Sequence, residues 1–189
     1  YDYLVGKSND LLTYFNEDAD VKSTKVKRIY TKLPKLTQLS WFFGYPTYIK
    51  DKIYLGSAFN AATKSTLETL NIKYVINVTD KIENYFPACY EYETYLIEDN
   101  DQQHITPYLE VSYQKIKEFQ QKNDGNILIH CVMGASRSAS IVCYYLMRKY
   151  GFTPKEIFHA MKLKRECVNP SHIFYHDLCN EYKKINESI

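Results

Sequence analysis

The chain has 189 residues, of which 45% are hydrophobic and 24% are charged, and its formal net charge is +2. This length and composition are typical of one globular domain with a sizeable core, and the nearly balanced charge gives no indication of nucleic-acid binding. No apolar run approaches the roughly 20 residues that a membrane-spanning helix needs. The five cysteines are odd in number and include no C-x-x-C pair. This pattern argues against a disulfide framework or a zinc site and favours a reducing compartment, the cytoplasm or the nucleus.

Residues 1–45 differ in composition from the rest of the chain. An acidic patch at residues 17–20 is followed by six basic residues with no acid between them, and Pro34 argues against a long regular element. The pattern indicates either a solvated linker or a docking arm whose basic run and following leucines bind an acidic partner groove, such as that of a protein kinase. We therefore divide the chain into an N-terminal extension, residues 1–45, and a folded domain, residues 46–189.

The folded domain alternates between two periodic patterns. Short β-branched or aromatic runs predict strands at residues 48–49, 53–56, 74–78, 92–97 and 127–130. Apolar residues spaced three and four apart predict helices at residues 63–70, from 106 to a turn at 124–125, at 139–150, from 154 to about 164, and from 171 to about 185. Alternating strands and helices predict an α/β domain with a central, mostly parallel or mixed sheet of four to five strands flanked by helices.

Turn and cap residues predict where several of these helices begin and end. Ser65 and Glu68 have the spacing of a capping box in the first helix, and residues 153–156 form a second box with proline at the first helical position. Asn71 and Gly151 follow helices at positions where a left-handed residue ends them.

The nine residues 130–138 read H-C-x-x-G-x-x-R-S and lie between a predicted strand and a predicted helix. A loop in this place directs its N–H groups to one point, and the helix N-terminus adds positive potential there. Such a site binds an anion and lowers the pKa of a cysteine, so Cys131 is predicted to be a thiolate nucleophile rather than a buried structural cysteine. Arg137 can bind two phosphate oxygens through its planar guanidinium.

The other residues of this segment are predicted to hold the phosphate and to tune the thiol. Gly134 permits close backbone approach or a positive φ, and Ser138 can donate a hydrogen bond to the Cys131 sulfur when the thiolate leaves an intermediate. His130 is predicted to orient the loop through backbone hydrogen bonds and to tune the thiolate. A metal site made by His130 and Cys131 is not expected, because neighbouring residues on a strand face opposite sides. The predicted phosphate-binding backbone groups belong to Val132, Met133, Gly134, Ala135, Ser136 and Arg137.

A thiolate inside an anion-binding loop indicates phosphoryl transfer to sulfur. This reaction also needs a general acid that protonates the oxygen that leaves phosphorus. Such help is typically worth about 100- to 10,000-fold in rate. The acid should lie on another loop at the carboxyl end of a strand, and the segment after the predicted strand 92–97 contains Glu98, Asp99 and Asp101. Spacing alone does not choose among these three carboxylates.

Residues 46–185 resemble the cysteine-dependent dual-specificity protein phosphatases, a branch of the protein tyrosine phosphatase superfamily. The H-C-x5-R-S signature at 130–138 carries the resemblance. Further similar segments are residues 53–57 ("YLGS"), 74–79 ("VINVT"), 145–147 ("YLM") and 161–165 ("VKxxR"). The resemblance is closest to the catalytic domains of MAP kinase phosphatases and their small stand-alone relatives.

The resemblance implies a fold like that of the protein tyrosine phosphatases and hydrolysis of phosphotyrosine and phosphoserine or phosphothreonine through a phosphocysteine. It implies a phosphoprotein substrate and no metal or organic cofactor. The family's "EDN" segment corresponds to residues 98–100, so the resemblance selects Asp99 as the general acid and keeps Asp101 in reserve. Residues 168–171 depart from the family's usual "SPN" segment, with Ser171 at the position of the asparagine.

Two alternatives remain beside this interpretation. A phosphoinositide or RNA-end phosphatase of the same superfamily would tend to carry basic residues inside the loop, whereas residues 132–136 are all uncharged. A pseudophosphatase that only binds phosphoproteins would usually lack the nucleophile, whereas Cys131, Arg137 and Asp99 are all present. The sequence gives no indication of an oligomeric state.

Overall fold

The computed structural model describes residues 39–122 and 124–187. In this part of the chain, five strands alternate with seven helices around one central sheet. The elements are α1 (Leu39–Phe43), β1 (Thr47–Lys50), β2 (Ile53–Gly56), α2 (Ala58–Ala62), α3 (Lys64–Thr69), β3 (Ile72–Asn77), β4 (Glu91–Thr94), α4 (Thr106–Lys122), β5 (Asn126–His130), α5 (Arg137–Tyr150), α6 (Pro154–Lys164) and α7 (His172–Glu187).

The sheet has the strand order β1-β2-β5-β3-β4, so the last strand in sequence lies at its centre. β5 pairs in parallel with β2 and β3, β3 pairs in parallel with β4, and only the edge strand β1 is antiparallel. The prediction of a mostly parallel sheet of four to five strands is therefore confirmed.

The two faces of the sheet are covered unequally. Alternate residues of each strand point to opposite faces. Ile127 and Ile129 join the large core formed with α4, α5, α6 and α7, whereas Leu128 joins the smaller core beneath α2 and α3. α5 is buried from Arg137 to Met147, because it packs between the sheet and the outer helices. None of the helices in the described residues is both long and apolar enough to cross a membrane.

The helix ends agree with the predicted caps in three places. Thr153 Oγ1 accepts a hydrogen bond from Glu156 N at 3.3 Å, and the Glu156 carboxylate accepts one from Thr153 N at 2.9 Å, which is the predicted capping box. Asn71 and Gly151 have φ angles of 47° and 73°, so both end their helices in the left-handed region.

The predicted capping box at Ser65 and Glu68 is wrong. α3 begins at Lys64, two residues earlier than a cap at Ser65 requires, with Thr63 as its N-cap and no side-chain cap, so Ser65 lies inside the first turn. A reciprocal capping box instead starts the preceding helix α2, where Ser57 and Asn60 each bond the backbone of the other. A serine three residues before a polar residue is thus insufficient to fix the first turn when two short helices follow each other.

The segment just before β1 packs against the domain. Trp41 O accepts a hydrogen bond from Arg165 at 3.0 Å, and Phe42 O accepts one from Ser57 Oγ at 2.7 Å. The boundary near residue 46 and the docking arm within residues 1–45 stay predictions. Apart from residues 39–45, that segment lies outside the described residues.

Candidate active site

The candidate nucleophile lies where the central strand ends. β5 ends at His130 and α5 begins at Arg137, so residues 131–136 form a loop between the middle of the sheet and its most buried helix. Gly56 of β2 and Asn77 of β3 both lie opposite His130, the last residue of β5. Three parallel strands therefore end together beneath this loop, the edge at which α/β proteins bind ligands.

The outer side of the loop is fully hydrogen-bonded. The carbonyl groups of residues 132–135 all accept hydrogen bonds from outside the loop. Val132 O accepts from Ala58 N at 3.0 Å, and Ala135 O accepts from Asn169 N at 2.9 Å. Met133 O and Gly134 O accept from the guanidinium of Arg165 at 2.8 and 3.0 Å. Because these carbonyls point outward, the intervening N–H groups are directed to the inner side, as in other backbone anion sites.

Arg165 is a buried cation with 0% exposure. Its Nε donates to Gly134 O, and its Nη2 donates to Met133 O and to Trp41 O at 3.0 Å, so it joins the loop to the segment before β1. Burial lowers the pKa of Arg165 from its ordinary value, which lies so far above neutrality that the group stays charged. Within the described residues its acceptors are carbonyl and hydroxyl oxygens and the Cys167 sulfur rather than carboxylates.

Gly134 takes a conformation in this loop that other residues would strain. Its φ is 68°, and a Cβ atom there would lie 2.3 Å from Gly56 O and 2.9 Å from Arg165 Nη2. Both values are shorter than any contact a real Cβ atom makes. Glycine is therefore required at this position for the loop to lie against β2.

The Cys131 thiol lies at the base of the loop with 1% exposure. Ser138 Oγ donates a hydrogen bond to Cys131 Sγ at 3.2 Å, and Gly134 N donates another at the same distance. Burial raises the pKa of this thiol, but the hydrogen bonds from Ser138, the charge of Arg137 and the Ala135 N–H together lower it below its ordinary value. A lowered pKa favours the thiolate, the nucleophilic form of cysteine.

Arg137 points its guanidinium into the same pocket from the first turn of α5. Its Nη1 donates to Ile97 O at 3.1 Å and lies 3.5 Å from Asp80 Oδ1, while its Nε lies 3.5 Å from Asp99 Oδ2. The side chain is only 7% exposed, and within the described residues its Nε makes no hydrogen bond. A buried donor without an acceptor is costly, so this group is suited to binding an anionic oxygen.

Asp99 is the only one of the three candidate acids that lines the pocket. Its Oδ1 accepts a hydrogen bond from Ser136 Oγ at 3.1 Å, and 38% of its side chain is exposed. Glu98 instead accepts from Asn100, and Asp101 is exposed outside the pocket. The geometry thus brings Asp99 to Cys131 and Arg137, and leaves Asp101 apart from them.

β4 ends at Thr94. The apolar pattern of the sequence predicted that this strand would continue to residue 97, so the predicted end is wrong. Tyr95 N still bonds to Asn77 O at 2.8 Å, and Tyr95 and Ile97 remain buried although they lie outside the ladder. The chain therefore leaves the sheet early enough for the next residues to cross the edge of the pocket.

The pocket has a volume of about 320 Å³. One wall is the loop after β5, another is Asp99, and the third is residues 167–171, which precede α7. Ser136 connects these walls, because its Oγ donates to Asp99 and accepts from Ser171 N at 3.1 Å. The segment 168–171, which departs from the family pattern, thus still supplies a hydrogen bond to the site, although through a backbone N–H.

His130 lies behind the loop rather than in the pocket. It is 1% exposed, and its Nδ1 donates a long hydrogen bond to Cys131 O at 3.4 Å. Burial lowers the pKa of His130 to about 4, so the imidazole is neutral near pH 7. The imidazole thus contacts the backbone of Cys131, and its role in orienting the loop stays a prediction.

Comparison with known proteins identifies the family. Residues 53–184, more than two thirds of the chain, match the family described as "Dual specificity phosphatase, catalytic domain". This chain belongs to the dual-specificity phosphatases. The predicted family is therefore confirmed.

Three curated relatives illustrate how much of each protein is shared. Protein phosphatase Slingshot of Drosophila melanogaster is 33% identical over 134 residues, which are 70% of this chain and 13% of that protein. A probable rhodanese domain-containing dual specificity protein phosphatase of Dictyostelium discoideum is 36% identical over 71% of this chain and 28% of its own length. Human dual specificity protein phosphatase 1 is 34% identical over 69% of this chain and 35% of its own length. The shared region is thus a minor part of each relative.

Solved structures have the same fold. The human tyrosine phosphatase-like serine/threonine/tyrosine-interacting protein matches with a TM-score of 0.68 and 28% identity, covering 76% of this chain and 98% of that one. Human DUSP28 matches with a TM-score of 0.66 and 22% identity, covering 74% and 96%. The predicted fold, like that of the protein tyrosine phosphatases, is therefore confirmed.

The sequence did not predict that Asp80 and Arg165 contact this dual-specificity phosphatase site. Asp80, three residues after the end of β3, lies 3.5 Å from Arg137, and Arg165 at the end of α6 binds the outer side of the phosphate-binding loop. Asp80 carried a usable signal, because it follows a buried parallel strand at the edge where sites form. Arg165 is the last residue of the family-like segment 161–165, but its composition gave no sign of burial, since a basic helix end is normally exposed.

Proposed function

We propose that this chain is a protein phosphatase that hydrolyses phosphotyrosine and phosphoserine or phosphothreonine through a phosphocysteine intermediate. The observation that carries the proposal is one pocket that contains a thiol with a lowered pKa, a buried guanidinium with an unbonded Nε, and a carboxylate. A nucleophile, an anion-binding group and an acid are the three parts that displacement at a phosphoester requires.

In the first step, the Cys131 thiolate attacks phosphorus and the bond to the substrate oxygen breaks. The non-bridging oxygens receive hydrogen bonds from the loop N–H groups of residues 132–137 and from Arg137. These donors stabilise the charge that develops in the transition state, and they are already in position before the reaction. Asp99, at the rim, gives its proton to the leaving oxygen.

In the second step, water attacks the phosphocysteine and the S–P bond breaks. Asp99 takes the proton from water, and inorganic phosphate and the Cys131 thiolate are released. The hydrogen bond from Ser138 Oγ, 3.2 Å from the sulfur, stabilises the departing thiolate. All atoms and charges are accounted for by the chain, the phosphoester and water, so the cycle needs no metal ion or organic cofactor.

The charge inside the pocket supports a single phosphoester as the substrate. Among the described residues that line the pocket, Arg137 is the only lysine or arginine, and residues 132–136 are uncharged. A polyanion such as a phosphoinositide or an RNA end would need further cations. A phosphorylated protein side chain carries one phosphate, whose charge of about −2 is partly offset by one guanidinium and further stabilised by several N–H groups.

We further propose that the chain acts in a reducing compartment, the cytoplasm or the nucleus. A thiolate nucleophile needs such a compartment, which supports this proposal. The five cysteines of the described residues are all free thiols. A protein kinase as the partner of the basic run in residues 1–45 is a further proposal that depends on sequence alone.

Turnover of a small aryl phosphate and of phosphotyrosine and phosphoserine peptides tests the proposal. We expect measurable release of phosphate from both peptide types by the wild-type chain. Cys131→Ser should lower kcat by at least about 10⁴-fold, because a hydroxyl at this position stays protonated. Trapping of ³²P on the wild-type chain, stable to alkaline hydroxylamine but labile to iodine, would identify the thiophosphate bond.

Two results would contradict the proposal. A folded wild-type chain that binds phosphopeptides without releasing phosphate would be a binding protein of the pseudophosphatase kind. A chain that hydrolyses phosphoinositides or RNA ends at least as well as phosphopeptides would belong to the other enzyme class considered above.

A further inference from the structure

A second cavity lies beside the candidate active site. It has a volume of about 390 Å³ and opens on the surface between α6, α7 and the segment that joins them. We call it the basic groove, and its lining residues are Phe158, His159, Lys162, Val168, Asn169, Pro170, His172 and Tyr175. None of the roles assigned above to the catalytic residues uses this cavity.

The basic groove adjoins the active-site pocket. Asn169 and Pro170 line both cavities, so they form a shared wall between them. Asn169 N also bonds to Ala135 O at 2.9 Å, which fixes this wall to the phosphate-binding loop. A peptide whose phosphorylated side chain enters the pocket would therefore pass over these two residues and continue into the groove.

The floor and the rim of the groove differ in chemistry. Phe158 and Val168, at 8% and 1% exposure, form an apolar floor. Lys162, His159 and His172 are exposed at the rim, and the lining residues, all within the described part of the chain, include no aspartate or glutamate. An apolar floor with cationic and N–H donors at its rim is complementary to a peptide segment that carries a carboxylate.

The donors favour a carboxylate over a second phosphate. Sites built for phosphate usually contain arginine, whose planar fork binds two oxygens at once. The lining has no arginine and one lysine, and the described residues give Lys162 no ion pair with a carboxylate of this chain. One ammonium group matches the single charge of an aspartate or glutamate.

We propose that the basic groove binds an acidic side chain of the phosphoprotein substrate, a few residues away from the phosphorylated residue. Lys162 forms the ion pair, His159 and His172 donate hydrogen bonds, and the backbone of the substrate segment packs over Pro170. The groove thereby selects phosphorylation sites that have an acid at a defined distance. This inference depends on the proposed phosphatase function and defines its substrate class.

The experiment compares phosphotyrosine peptides that differ by one glutamate. In each pair, glutamate or glutamine occupies one position from two to five residues before or after the phosphotyrosine, so that the pair differs in charge and not in size. We expect the wild-type chain to prefer glutamate at one or two neighbouring positions by about 3- to 10-fold in kcat/KM, the range of an exposed ion pair with hydrogen bonds. The difference should lie in KM, because the groove does not touch the reacting atoms.

Charge variants of Lys162 assign the preference to the groove. Lys162→Gln should remove the preference, and Lys162→Glu should reverse it in favour of a peptide with lysine at the same position. Lys183→Glu on α7 is the matched control, because Lys183 is exposed and lines neither cavity. The control should keep the preference for glutamate unchanged and thus exclude a general effect of net charge.

The outcomes separate this inference from the phosphatase proposal. Equal kcat/KM for glutamate and glutamine at every position, with good turnover, would overturn the groove inference and leave the phosphatase proposal intact. A preference that survives Lys162→Glu would also overturn it. A peptide can also carry a non-hydrolysable phosphonate at the flanking position. If it bound better than the glutamate peptide, the carboxylate assignment would be overturned and the groove would be a site for a second phosphate. Absence of turnover for all peptides would contradict the phosphatase proposal itself.

Discussion

The loop at residues 131–137 and the acid segment at residues 98–101 contribute opposite halves of the candidate site and are held very differently. In the loop, four consecutive carbonyl groups are hydrogen-bonded from outside, and the thiol of Cys131 is 1% exposed. In the acid segment, Asp99 has one hydrogen bond from Ser136 and one long ion pair with Arg137, and its side chain is 38% exposed.

The difference reflects what each half must do. The loop must present its N–H groups in a fixed arrangement, because preorganised donors stabilise a transition state without reorganising during the reaction. The acid must reach the leaving oxygen, give a proton and then accept one from water. A carboxylate at an accessible rim suits this exchange with solvent, whereas a carboxylate locked by many donors would resist protonation.

The acid half is predicted to be sensitive to a single side chain. Asp99→Asn should lower kcat by about 10³-fold for alkyl phosphates such as phosphoserine peptides, because their leaving oxygen needs a proton. The kcat/KM of aryl phosphates with acidic leaving groups should be affected much less, because kcat/KM reports the first step, in which such groups leave without a proton. A series of aryl phosphates with graded leaving-group pKa measures this, because the variant should show a steeper dependence of log kcat/KM on that pKa.

Asp101→Asn provides the matched control for Asp99→Asn. Asp101 is exposed and does not line the pocket, so its amide should leave the leaving-group dependence as in the wild type. The reverse pattern, a steep dependence for Asp101→Asn alone, would mean that the acid segment rearranges when substrate binds and that the assignment to Asp99 is wrong.

The loop half is predicted to depend on shape as well as charge. Arg137→Lys keeps the positive charge but loses the planar fork, and we expect kcat to fall by about 10²-fold, the usual effect of removing a transition-state donor. Steady-state kinetics with a phosphotyrosine peptide measure the change. A variant within threefold of the wild type would show that charge alone is sufficient at this position.

The loop half could be predicted from sequence, whereas the acid half could not be predicted from spacing. Residues 130–138 are contiguous, and the strand before them and the helix after them fix the loop locally. The choice among Glu98, Asp99 and Asp101 depends on where the chain leaves β4, and the apolar pattern placed that point at residue 97 instead of Thr94. Tyr95 and Ile97 are buried although they lie outside the strand ladder. Their apolar side chains therefore predicted a longer strand.

Long-range contacts of single polar side chains also could not be predicted from local sequence patterns. Arg165 is 31 residues from Gly134 in sequence, and charge and spacing at the basic end of α6 do not distinguish this buried arginine from the exposed Lys162. The capping box at Ser65 failed for a different reason: only Thr63 separates α2 from α3, so α3 begins at Lys64 and Ser65 lies inside its first turn.

Removing Arg165 tests whether the outer hydrogen bonds hold the loop in shape. Arg165→Met preserves most of the side-chain volume but leaves the carbonyls of Met133, Gly134 and Trp41 without this donor. We expect the free energy of unfolding to fall by about 3 kcal/mol, since each unsatisfied buried acceptor costs about 1 kcal/mol or more. We expect kcat to fall by about 10- to 100-fold. Urea denaturation and peptide kinetics measure the two effects.

Arg148→Met is the matched control for this substitution. Arg148 lies on α5, is partly exposed and pairs with Glu110, and such pairs contribute about 1 kcal/mol or less. If Arg165→Met changed stability and kcat no more than Arg148→Met does, the loop would keep its shape without the buried guanidinium.

The smallest effect is predicted for the hydrogen bond from Ser138 to the thiol. Hydrogen bonds from Ser138 oppose the effect of burial on the pKa of Cys131, so Ser138→Ala should raise that pKa. Since only the thiolate reacts with iodoacetamide, a higher pKa lowers the fraction of reactive sulfur at acidic pH. We expect the rate of alkylation at pH 6 to fall by about 3- to 10-fold, as for loss of a hydrogen bond to a charged group, and to recover at higher pH.

Ser112→Ala separates this effect from the general consequence of removing a buried hydroxyl. Ser112 is buried in α4 and donates to Leu109 O within its own helix, far in sequence from the loop. Its substitution should leave the pH dependence of Cys131 alkylation as in the wild type. If the alkylation profile of Ser138→Ala also coincided with that of the wild type, the Gly134 N–H and Arg137 would be sufficient to hold the thiolate. The serine would then contribute only to the departure of the sulfur from phosphorus in the second step, which the rate of phosphocysteine hydrolysis would measure separately.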